Sequence, residues 1–193
     1  MAIAPGDYEI GPPASRLRLF TFRQGLAARA GHDLVIEARA WHGTVQVPRD
    51  FTSAGGASSA GVPPASVRVE IDLRELEVLE GSGGVKPLTD SDRRDIKKTM
   101  QGVLRTGAHP LATFSSTDVH LQGDGAVVEG ELSLGGETHP VRVQVRDDGG
   151  GTVSGRAEVV QSRWGIKPYT GFFGALKLRD AVDLEFTLAL RPA

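Results

Sequence analysis

The chain contains no cysteine. That absence removes disulfides, thiolate nucleophiles, CxxC redox chemistry and cysteine zinc sites together. An apolar run of the roughly 18–20 residues that a membrane helix needs is also missing. Charge of one sign is missing too: 22 basic side chains stand against 24 acidic ones, a formal net charge of −2, which leaves no electrostatic footprint for nucleic acid. The opening MAIAPGDYEIGPPASRL has no basic segment followed by an apolar run. No secretory leader is read there, and a cytoplasmic location is expected. Neither GxxxxGK[ST] nor a GxGxxG opening a helix occurs, so no nucleotide cofactor is expected.

What is present is alternation. Val67–Arg74 reads Val-Arg-Val-Glu-Ile-Asp-Leu-Arg, with every second residue apolar. This is the period-two signature of a strand with one buried and one wet face. Val141–Arg146 and Val182–Leu188 repeat it, and weaker versions lie at Leu17–Phe22, Leu34–Val47, Ala112–Leu121, Ala126–Leu134 and Val153–Val160. Turn clusters separate them, among them Gly123-Asp124-Gly125 and Asp147–Gly151. The second half leaves no room for crossover helices, so the sheet is antiparallel and meandering. The 193 residues fit a single domain spanning 1–193. About eight one-faced strands must pair with another sheet or curl into a barrel, and closure removes the exposed edges. An eight-stranded barrel is just wide enough to fill with side chains or to hold one small ligand. The interior candidates are mostly Val, Leu, Ile, Ala and Gly, which leaves both outcomes open.

One segment has another period. Thr89 with Asp92 forms a capping-box pattern, and acids cluster in the following turns, where the helix dipole favours them. Ile96, Met100, Val103 and Leu104 then fall on one helical face, with Gly107 and Pro110 as the stop. A short helical turn is suggested at Leu26–Ala30. Thr52–Pro64 and Gly81–Gly84 read as loose loops.

Catalytic signals are thin. The five histidines show no compact ligand spacing, so no metal site is expected. Adjacent His32 and Asp33 could supply a general base, but neighbours on a strand point to opposite faces. Glu80–Gly84 lacks the spacing of a serine nucleophile elbow. More distinctive is Arg163–Gly174, where Trp164, Tyr169, Phe172 and Phe173 crowd a Gly/Pro-rich connection. Aromatics there either close a barrel mouth or plug the core.

Several stretches together resemble the YceI-like family of lipocalin-like, polyisoprenoid-binding proteins. Gly130–Val141 (GELSLGGETHPV) is similar to that family's G-x-L-x-(apolar)-x-G-x-T-x-P-V hairpin. Arg94-Asp95, His109-Pro110 and Phe114-Ser115-Ser116 resemble its helix and following strand. Tyr8-Glu9-Ile10 with Ser15, Arg163-Trp164-Gly165 and Asp180-Ala181-Val182 resemble its opening, late and closing segments. Gly11, where the family usually carries Asp, and Arg29–Asp33 depart from it. The resemblance implies an all-β fold: an eight-stranded antiparallel lipocalin-like barrel with one short α-helix inserted, often dimeric, holding a long apolar chain. The expected function is therefore that of a non-enzymatic carrier or sequestering protein for an apolar small-molecule ligand, with no nucleic-acid partner and a homodimer as the expected assembly. Phe20, Phe22, His32, Leu34, Ile36, Phe114, Trp164, Tyr169, Phe172 and Phe173 are the expected lining or closing residues. The alternatives are an enzyme using His32 and Asp33, and a packed interaction module without a ligand.

Overall fold

The computed structural model describes residues 3–49 and 65–193; the expected loop Thr52–Pro64 lies outside the described residues. The main sheet has twelve strand segments, but several are one strand interrupted by a bend. Strand β1 runs as Gly6–Ile10 and then Arg16–Thr21. Strand β2 is Asp33–Ala38 continued by Trp41–Val47, and β3 is Ser66–Asp72 continued by Leu76–Ser82. Strands β4 (Leu111–Gln122), β5 (Gly125–Leu134), β6 (Glu137–Gly149) and β7 (Thr152–Val160) are unbroken. Strand β8 is Ala181–Ala189 with Arg191–Pro192.

Each of these eight strands pairs antiparallel with the next, and β8 pairs with β1. The pairing is therefore a closed ring: the eight-stranded meander expected from the alternation. The ladder crosses its main interruption intact. Arg39 donates its N–H to Glu75 O and Asp72 donates to Ala40 O, each at 2.9 Å, so β2 and β3 bend together. Buried Ser15 accepts a hydrogen bond from Ala189 N (3.1 Å), which ties the bend in β1 to β8.

The helix α1 spans Asp90–Val103 with Thr89 as its cap. Asp92 N donates to Thr89 Oγ1 (3.2 Å) and Thr89 N donates to Asp92 Oδ2 (2.8 Å), the reciprocal capping box. These bonds to Thr89, its hydroxyl first, hold the Asp92 carboxyl below the usual carboxylate range. The stop differs from expectation. The helix ends at Val103, and Arg105, not Gly107, takes the left-handed conformation (φ 53°). In that position Arg105 donates from its guanidinium to Gly135 O (2.8 Å), which anchors the helix end to the β5–β6 turn. Leu88, Ile96, Met100, Val103 and Leu104 pack on the barrel core. The Gly81–Gly84 stretch is also tighter than expected. A β-carbon at Gly81 would collide with Leu88, and one at Gly84 with the His32 ring. Glycine there serves close packing as the chain leaves β3 for the helix.

A second, three-stranded sheet of Thr170–Gly171, Leu176–Leu178 and Arg23–Gln24 stands at the end of the barrel where β1 finishes. The helical turn expected at Leu26–Ala30 is a short 3-10 turn, Ala28–Ala30.

Candidate functional site: an apolar barrel cavity

The barrel is divided. In the half near α1 it is filled by Ile36, Ala38, Leu73, Leu76, Leu134, Trp164 and Ile166. The other half holds a partly open cavity of about 210 Å³, walled by residues from all eight strands. Of its 28 lining residues only Gln46 and Ser66 lack an apolar side chain, and none is ionisable. Ser66 Oγ donates to Gln46 Oε1 (3.1 Å), so those two satisfy each other. The remaining lining is chiefly Val, Leu, Ile and Ala, with Phe114, Phe186 and Trp41 as the aromatics.

The geometry follows from parity along the strands. Val67, Val69 and Ile71 of β3, Val141, Val143 and Val145 of β6, and Leu184, Phe186 and Leu188 of β8 all face in. On β4 the ladder slips between Ser116 and Asp118. The inward set therefore passes from Ala112 and Phe114 to Val119 and Leu121, as an inserted bulge residue requires. Two inward glycines make room for rings: a β-carbon on Gly155 would collide with Phe186, and one on Gly130 with Phe114.

The floor between the two halves is built by the aromatic connection. Trp164 is 1% exposed, donates its Nε1–H to Leu132 O (2.9 Å), and meets the His139 ring edge-on at 5.3 Å. Trp41, which lines the cavity, differs: its Nε1 is buried and has no partner among the described residues. Buried indole N–H groups usually find an acceptor.

Of the residues expected to line a site, Phe114 is in the cavity wall. Leu34, Ile36 and Trp164 belong to the packed half. Phe20 pairs with Asp183 and Val35, one position out of phase with inward Leu19, and so stands on the outer face. Phe22 lies under the Arg179 guanidinium, 4.8 Å from its centroid. Tyr169 and Phe173 are exposed, and the Phe172 side chain lies outside the described residues. His32 donates from Nε2 to Lys86 O (2.7 Å), whereas Asp33 accepts from Arg23 N (2.8 Å). The two are spent on separate turns and neither lines the cavity. The aliphatic wall, Trp41 and Phe186 are not among the expected residues; the inward parity of each strand is the signal that marks them.

A broader, open concavity of about 760 Å³ lies on the outer face, where Arg16, Arg18, Arg146 and Arg156 surround Thr187 and Ser154. It is a cross-strand row of outward-facing side chains in which Glu185 faces both Arg18 and Arg156.

A closed eight-stranded antiparallel barrel with an apolar interior and one packed helix places the chain in the lipocalin-like class of barrels. The model of the YceI-like domain matches residues 8–190, and the chain belongs to that family. A UPF0312 protein of Pseudomonas paraeruginosa is 38% identical over 58 residues, 30% of this chain and 30% of that protein. The chain thus matches less than a third of that relative's length. BcnA of Burkholderia cenocepacia superposes with a TM-score of 0.56 at 18% identity, covering 90% of this chain and 94% of BcnA. The YceI protein of Campylobacter jejuni gives a TM-score of 0.52 at 11% identity, covering 82% and 85%. At such identities these likenesses speak for the fold. No helix among the described residues is long and apolar enough to cross a membrane.

Proposed function

We propose that the barrel binds a long apolar amphiphile, an isoprenoid or other lipid-like molecule, as a carrier or sequestering protein. The observation that carries this reading is the cavity itself, about 210 Å³ of space with no ionisable group among the described residues of its wall. Such a wall recognises by burial, at about 0.8 kcal/mol per methylene, and rewards apolar length. Family membership supports it, since the resemblance to YceI-like proteins implies polyisoprenoid binding. A cavity of about 150 Å³ accommodates a benzene-sized guest; by that scale this one takes roughly eight heavy atoms. A longer chain requires the walls to part or its remainder to lie outside. A charged head group has no counter-ion within the wall, so the buried part of the ligand is neutral, and the Trp41 N–H is the donor offered to any acceptor on it.

Extraction of the protein as purified from cells, followed by mass spectrometry of the extract, tests this directly, alongside titration with long-chain alcohols read by tryptophan fluorescence. Recovery of one class of apolar molecule, or saturable quenching, is expected. A protein that yields no lipid and binds none when offered would overturn the reading.

A further inference from the structure

The small three-stranded sheet and the turns around it carry a surface that the cavity does not explain. Leu26 and Phe173 are fully exposed, at 102% and 112% of their reference areas, where most bulky apolar side chains of the chain are at least half-buried. The two stand at one edge of that sheet. Ala27 N donates to Ala175 O (3.0 Å), which sets the turn bearing Leu26 against the turn bearing Phe173. Phe173 is held at φ 54°, a left-handed conformation uncommon for a residue with a β-carbon. Tyr169, whose backbone O accepts from Leu178 N, is partly exposed beside them.

Charge gathers at the same end. The segments 22–33, 83–88 and 163–180 hold seven cationic side chains and two acidic ones, with Glu158 and Asp183 beside Arg179 and Asp92 near His32 as the acids that border them. Arg23 and Arg179 are engaged with Asp33 and Asp183. Arg29, Lys86, Arg163, Lys167 and Lys177 are exposed, and none forms an ion pair among the described residues.

We propose that this end of the barrel docks on an anionic lipid bilayer, with Leu26 and Phe173 inserted into the headgroup boundary and the unpaired cations on the lipid charges. Charge complementarity selects a negative partner. The form of the apolar part selects a membrane over a protein. It consists of side chains projecting singly from turn tips, which a bilayer accepts without shape matching, while a protein interface calls for a packed contiguous core. A tyrosine at the edge suits the interfacial layer. The proposal concerns where the protein works and is independent of what the cavity holds.

The test is co-sedimentation of the full chain with vesicles of phosphatidylcholine alone and of phosphatidylcholine with phosphatidylglycerol. Binding is expected only to the anionic vesicles, weakening as salt screens the cations. Leu26→Ser with Phe173→Ser is expected to lower binding about tenfold while leaving the melting temperature unchanged, because neither side chain is buried. Lys167→Glu with Lys177→Glu is expected to lower it about tenfold to a hundredfold. Absence of binding to anionic vesicles at low salt overturns the proposal. So does loss on charge reversal with no effect of the serine pair, an outcome that leaves only electrostatic adsorption and no insertion of Leu26 and Phe173.

Discussion

Whether the barrel is hollow can be decided by one substitution, Ala157→Leu. Ala157 lies on β7 opposite Val143 on one side and Leu184 on the other, and all three line the cavity. The change adds three carbons facing the cavity. Burying them contributes about 2.4 kcal/mol at ~0.8 per carbon group, less about 0.5–1 kcal/mol for ordering the leucine side chain. The net is a stabilisation of roughly 1.5–2 kcal/mol, which in a chain of this size raises the melting temperature by about 3–8 °C. If side chains filled the interior, the same three carbons would overpack it and cost about 1–3 kcal/mol. The two cases therefore differ in sign. Thermal unfolding of the ligand-free protein reads the result, and a fall in melting temperature would refute the cavity. The same variant should bind the long-chain alcohol more weakly than the parent does, because the leucine takes up part of the space.

Other consequences follow from single contacts. Trp164→Phe removes the donor to Leu132 O and opens a void at the floor, and is expected to cost about 2–4 kcal/mol in urea unfolding. Trp41→Phe loses no hydrogen bond, so its cost should be clearly smaller, and it should weaken an acceptor-bearing ligand about fivefold relative to a matched hydrocarbon, as titration calorimetry would show. Thr89→Ala removes the helix cap and should cost about 1 kcal/mol. The depressed Asp92 carboxyl has its own pH signature. Its contribution is complete above the unfolded carboxylate pKa of about 4 and is lost as pH falls through the lower folded value. Acid titration of helicity should show that loss in the parent and little of it in Thr89→Ala. Glu37→Gln should cost about 1–3 kcal/mol by chemical denaturation, because this buried carboxylate pairs with both Arg18 and Arg39.

The elements most legible in the sequence are those in which alternation runs without a break. Val141–Arg146 and Val182–Leu188 declare both strand and facing, and the structure places their apolar residues inside. The weaker patterns have physical reasons for being weak. In β4 the bulge after Ser116 shifts the phase by one residue, so no single period fits Ala112–Leu121. In β2 the bend at Arg39–Ala40 divides one expected segment into two. The second half of β3, Leu76–Ser82, runs Leu-Glu-Val-Leu-Glu, and the doubled apolar pair hides the strand. The capping box was readable because it is local, a matter of two residues three apart. The helix stop was not: Arg105 is held left-handed while its side chain reaches the carbonyl of Gly135, thirty residues away. The aromatic connection was visible as a cluster, but its division of labour was not. Trp164 is buried and Phe173 fully exposed, and nothing in composition separates them.

The divided interior bears on function as much as on folding. An unfilled apolar volume costs about 24 cal/mol per Å³, so 210 Å³ represents roughly 5 kcal/mol withheld from a domain whose total stability is of order 5–15 kcal/mol. A chain can bear that only if another part of it is well packed, and the half under α1 supplies this. There Trp164, Ile166, Leu76 and Ile36 are each no more than 4% exposed, and the indole of Trp164 is hydrogen-bonded. The hollow half then rests on a rigid floor. Half of its 28 lining residues are Val or Ala, and a bulkier residue facing the open space there would recover part of the lost energy. The ligand binding proposed above would account for that choice, since a bound apolar chain would restore the missing contacts and return the stability in the form of affinity.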